Sequence, residues 1–87
     1  MEYFSEITLS DGTEAKIIEG SGINFFNAMS ASKGDSGLFI KHLVSELVLV
    51  KEKKIKISEI DELPIKDASY LCEVVSLVLS DKYRNGI

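Results

Sequence analysis

The tetrapeptide Gly34-Asp35-Ser36-Gly37 is the setting in which a large class of proteases holds its nucleophilic serine, so Ser36 is the first residue to ask for chemistry. A serine nucleophile needs a base within hydrogen-bond reach. The one histidine, His42, follows six residues later. On a shared helix the two would stand about 9 Å apart along the axis and about 120° apart around it, too far to exchange a proton. The tetrapeptide reads more simply as punctuation. Gly34 closes one helix and Asp35 caps the next, where its charge also favours the positive end of the helix dipole.

The other chemistry-bearing residues fare no better. Cys72 is the one cysteine, so it cannot form an internal disulfide, and it sits in an apolar run where a free thiol behaves as a small core residue. With His42 as its sole imidazole companion, a thiolate or imidazole metal centre is excluded. Glu59, Asp61, Glu62 and Asp67 form an acidic cluster without the alternating order of a calcium loop. Two of its members read as helix-start residues: Asp61 in a Ser58-x-x-Asp61 box and Asp67 as the cap of the last helix. No glycine-rich phosphate loop is present. The expectation is a protein that is not an enzyme and takes no cofactor or metal.

Charge narrows the partners. Fourteen acidic residues against ten basic ones give a net charge of −4, which disfavours phosphate backbones and anionic membrane surfaces. Lys51, Lys53, Lys54 and Lys56 contain no interleaved aromatics for base stacking and read as lysines guarding strand edges. No secretory leader and no apolar run of about 20 residues is evident. Together with the single thiol this points to a cytoplasmic protein that binds neither nucleic acid nor membrane.

The elements that would position these residues follow from periodicity. With 87 residues the chain is expected to be a single domain, 1–87. Tyr3, Ile7 and Leu9 alternate with Glu6 and Thr8, and Asp11-Gly12 predicts a type I′ turn into a second strand through Ala15 and Ile17. Ser21 then caps an amphipathic helix to about Ser32, with Phe25, Phe26 and Met29 on one side and Asn24, Asn27 and Ser30 across from them. A second amphipathic helix turns Phe39, Ile40, Leu43, Val44 and Leu47 inward and His42 to water. Val48 and Val50 pair with Ile55 and Ile57 in a short second hairpin, and a single helical turn ends before Pro64.

The last helix carries the clearest excess. Ser69, Glu73, Ser76 and Ser80 fall in a narrow polar arc, which leaves apolar residues around roughly 220°, about twice what a surface helix needs. Either the helix runs through the centre of the fold or its surplus flank meets another chain. The fold class is therefore α+β, an N-terminal β-hairpin, two amphipathic helices, a short second hairpin and an apolar C-terminal helix. The candidate contact edge is Tyr70, Val74 and Leu77, with Phe25 and Phe26 as a second apolar contribution.

The order of these elements resembles that of the short phage tail assembly chaperones, particularly the Mu-like kind. The residues that carry the likeness are L-S-D-G-T in the first hairpin, I-N-F-F-N-A-M in the first helix, and above all S-E-I-D-E-L-P-I-K-D-A-S-Y-L from Ser58 to Leu71. Family members often place a glycine in the second hairpin turn, where this chain has Lys53 or Lys54. The resemblance implies a non-enzymatic protein that associates with the long tape measure protein and keeps it soluble until tail tube subunits polymerise around it. It also implies a longer form made by ribosomal frameshifting. The competing expectations are a structural tail or head-tail component retained in the virion, and a second copy of the chain as the partner.

Overall fold

The computed structural model describes residues 3–85, with side chains through residue 80. Its strands are β1 (Tyr3–Thr8), β2 (Glu14–Ile18), β3 (Val48–Val50) and β4 (Lys53–Lys54). Its helices are α1 (Gly22–Ser32), α2 (Ser36–Leu47), α3 (Ile57–Glu62) and α4 (Ile65–Asn85). The architecture is α+β, with one antiparallel sheet in the order β1-β2-β3-β4 and α1 and α2 inserted between β2 and β3. Ile7, Leu9, Ala15, Ile17, Val48 and Ile55 on one face of the sheet join Leu43, Val44 and Leu47 of α2 and Leu71, Val74, Val75 and Val78 of α4 in a single core. The other face carries a cross-strand row of Glu6, Lys16, Leu49 and Lys54.

The first hairpin departs from expectation in two ways. Its alternation breaks at a bulge between Tyr3 and Ser5. An extra residue inverts the side-chain parity upstream of it. Phe4 packs against the core, whereas Tyr3 is exposed with the Lys16 ammonium 4.9 Å from its ring centre. The turn is not type I′. Gly12 N donates to Leu9 O at 2.9 Å and Leu9 N to Thr13 O at 2.8 Å, and Gly12 alone in this loop has positive φ (90°). That makes a three-residue loop with glycine in the left-handed position. Asp11 Oδ1 accepts from Thr13 N at 2.9 Å, which holds the carboxyl below its ordinary value.

The type I′ geometry appears instead in the second hairpin. Lys51 and Glu52 are its two central residues, with φ of 53° and 67°, and Lys53 and Lys54 lie in β4 rather than in the turn. Left-handed backbone at a non-glycine residue costs on the order of 1 kcal/mol. Here the paired strands on either side hold it in place. Ile55 N extends the pairing to Val48 O, but Ile57 opens α3 and is not a strand residue.

Helix starts are shifted as well. Asp35 caps α2 as expected, accepting from Leu38 N at 2.9 Å, after Lys33 and Gly34 have both turned through positive φ. For α3 the cap position is Lys56, whose N–H donates to Glu59 Oε1 at 2.8 Å, so the start falls two residues before the Ser58 to Asp61 box. Asp67 does not cap α4, which begins at Ile65 against the Pro64 carbonyl. Its carboxylate is buried and accepts from Ser10 N at 3.0 Å and Ser10 Oγ at 2.7 Å, tying the first hairpin loop to the last helix.

Candidate functional site

α1 presents its large apolar side chains to solvent. Ile23 is 63% exposed, Phe26 62% and Met29 47%. At about 100° per residue these three positions, i, i+3 and i+6, make one outward strip. The buried side of the same helix consists of Ala28 and Ser32, with Asn24 half-buried beside them. The expected apolar side is thus divided: Phe26 and Met29 face out and Phe25 is half-buried, while Asn27 and Ser30 are exposed as expected and the inward side is made of Ala28 and Ser32 with Asn24 half-buried.

The division has a local cause. Positions 24, 28 and 32 form a ridge of short side chains at i+4 spacing, which lets α1 approach α2 closely. Asn24 satisfies its amide on both sides, accepting from Ser21 N at 2.9 Å and donating to Glu46 Oε1 of α2 at 2.8 Å. Burial pushes the Glu46 carboxyl up, but hydrogen bonds from Asn24 and Asn27 and the nearby Lys54 ammonium outweigh it and set the carboxyl below its ordinary value. Ser32 Oγ donates to Met29 O at 2.9 Å. Gly20, at φ 72°, admits the same close approach, because a Cβ there would lie 2.5 Å from Leu47 Cδ2.

Phe25 links the exposed strip to the interior. Its ring stands edge-on to Phe26 at 5.6 Å and edge-on to Phe39 of α2 at 5.4 Å. Such pairs contribute roughly 0.5–1.5 kcal/mol beyond burial, so Phe26 is held in position although it is exposed. Phe25, Met29 and Phe39 also line an open hollow of about 320 Å³ whose rim is Ser32, Gly34, Asp35 and Ser36. The Gly-Asp-Ser-Gly turn therefore borders an apolar depression at the end of the strip.

The contact edge expected on α4 is divided by the structure. Tyr70 and Leu77 are exposed, both at 44%, but Val74 between them is 6% exposed and belongs to the core. Leu71, Val75 and Val78 are buried with it, so most of the surplus apolar arc is spent inside the fold. Tyr70 and Leu77 are left two turns apart, with Glu73 exposed between them.

The residues first considered for chemistry are scattered. Ser36 is exposed at the start of α2, and His42 is half-buried on that helix rather than free in water. Cys72 is half-buried, and burial pushes its thiol pKa up. Asp61 pairs with Lys41 at 2.7 Å, while Glu59 and Asp67 serve backbone and loop contacts. Among the described residues no three His, Cys, Asp or Glu side chains are gathered to hold a metal ion. In the same residues no helix is long and apolar enough to cross a membrane.

Sequence reasoning missed Ile23 and Met29 as surface residues. The signal was present in another form: residues 20–32 run without a single charge. A helix whose solvent face is bare of charge is unusual for a surface element. No family model matches the chain, and neither curated proteins nor solved structures include a match.

Proposed function

We propose that this protein is a non-catalytic binding domain of the tail assembly chaperone kind. It holds an amphipathic helical stretch of a tape measure protein against α1 and keeps that client soluble in the host cytoplasm until tube subunits polymerise around it. The observation that carries the reading is the uncharged outward strip Ile23, Phe26 and Met29, leading into the hollow between Phe25 and Phe39. The client's identity rests on the resemblance in element order and in the Ser58 to Leu71 segment.

The energetics suit a transient holder. Three apolar side chains exposed by about half to two thirds offer roughly 300 Å², a gross contribution of about 7 kcal/mol at about 25 cal/mol per Å². The lost freedom of two associating molecules offsets much of that. Contact of this strength is reversible, as release to an incoming tube subunit requires. The surplus of acidic residues keeps the loaded complex soluble.

Co-expression with a phage tail tape measure protein tests the reading. The client should be soluble and co-purify with the wild-type chain. With Phe26→Asp it should become insoluble, although the variant itself folds normally by circular dichroism. Leu77→Asp should behave like wild type. A client that is equally soluble with Phe26→Asp, or that never co-purifies, would falsify the assignment.

A further inference from the structure

We infer that the groove between the two hairpin loops and α3 is a second binding surface, and that it takes a peptide segment in which a large apolar side chain is flanked by carboxylates. The groove holds about 600 Å³, within the usual size range of ligand sites. Its floor is Leu9, Val50, Ile55 and Leu63, and its rim carries Lys51, Lys53 and Lys56. It shares no residue with the α1 strip.

Charge decides what such a floor accepts. Lys54 is engaged by Glu46 at 3.5 Å, whereas Lys51, Lys53 and Lys56 are exposed and enter no ion pair among the described residues. The two carboxylates in the wall are each committed to a backbone amide: Asp11 Oδ1 accepts from Thr13 N, and Glu59 Oε1 from Lys56 N. Three unpaired ammonium groups around an apolar floor complement an anion that also has apolar bulk to bury. A nucleic-acid backbone meets neither condition. No arginine or aromatic ring lines the groove, and the Asp11 and Glu59 carboxylates repel closely spaced phosphates.

The turn that carries Lys51 gives an independent reason to place binding here. Lys51 and Glu52 are the central pair of a type I′ turn, at φ 53° and 67°, where Asn-Gly would sit without strain. Left-handed backbone at two non-glycine residues costs stability that a purely structural turn has no need to lose. Strain of this kind gathers at ligand-binding segments, and here it sets Lys51 at the rim of the groove.

Amide NMR titration of the isotope-labelled chain with the capped peptide E-E-L-F-E-E, to about 2 mM, tests this. Shifts should saturate at Leu9, Lys51, Ile55 and Leu63 with a dissociation constant on the order of 0.5 mM, and binding should weaken as salt is raised. K-K-L-F-K-K lacks the carboxylates and E-E-G-S-E-E the apolar bulk, and each should bind at least about tenfold more weakly. Lys53→Glu with Lys56→Glu should weaken the first peptide by about the same factor. Replacing the turn by Lys51→Asn with Glu52→Gly should raise the melting temperature by a few degrees and yet weaken the peptide about threefold. Phe26→Asp should bind it like wild type, so failure of client holding on α1 and failure here are told apart. Shifts that do not saturate by about 2 mM, or shifts confined to α1, overturn the assignment. So do E-E-G-S-E-E or a short single-stranded DNA bound as tightly, or a turn variant with undiminished affinity.

Discussion

Asp67 gives both carboxylate oxygens to Ser10, 57 positions away in sequence, and is buried in doing so. Its place in the first turn of α4 adds a favourable interaction with the helix dipole. Hydrogen bonds to a charged partner contribute about 1.5–3 kcal/mol. Asp67→Ala should therefore lower the stability measured by urea unfolding by about 2 kcal/mol. Ser10→Ala, which removes the hydroxyl but keeps the backbone donor, should lower it by about 1 kcal/mol. Equal losses, or an Asp67→Ala loss within about 0.5 kcal/mol of zero, would show that the loop is held some other way. This role was not legible in the sequence. An aspartate ahead of an apolar helix reads as a local cap, and nothing in the intervening residues reveals that a distant serine will meet it. Asp35, whose partner Leu38 lies three residues away, was legible for the opposite reason.

At the level of elements, α4 takes the central place that its periodicity left as one of two alternatives, and α1 keeps the exposed Phe26. Both have more apolar surface than a small surface helix needs, but α4 spends it on the core while α1 keeps it outside. Val74 and Leu77 measure the difference within one helix. Val74→Ser leaves a cavity and a hydroxyl in the core and should destabilise by about 2–3 kcal/mol. Leu77→Ser should stay within about 0.5 kcal/mol of wild type. Thermal unfolding of the two variants checks this, and similar melting temperatures would refute the division of the flank. The succession of elements and the α+β class were readable because alternation and helical periodicity are local properties of the chain, whereas the β2–β3 pairing that joins the two hairpins into one sheet was not. The outward face of α1 was not, because periodicity finds an apolar arc without saying which way it points. The direction is decided by the short ridge of Asn24, Ala28 and Ser32 and by the fit of Gly20 against Leu47.

For the molecule as a whole, these placements give a domain with a well-filled core and an apolar strip left exposed on α1. The sheet is covered on one side, its other side carries a mixed row of charges, and α4 closes the core through its inner arc. Among the described residues the exposed apolar surface includes the strip on α1 and the hollow beside the turn at Gly34 to Ser36, with Ile65, Tyr70 and Leu77 exposed elsewhere. The account rests on that strip being open in the free monomer and covered in the client complex. Hydroxyl-radical footprinting read by mass spectrometry reports both states at single side chains. In the dilute chain Phe26 and Met29 should oxidise readily while Leu71 and Val75 stay protected, and in the co-purified complex Phe26 and Met29 should become protected while Tyr70 and Leu77 do not. Protection of Phe26 already in the dilute monomer, or unchanged oxidation in the complex, would contradict the central claim.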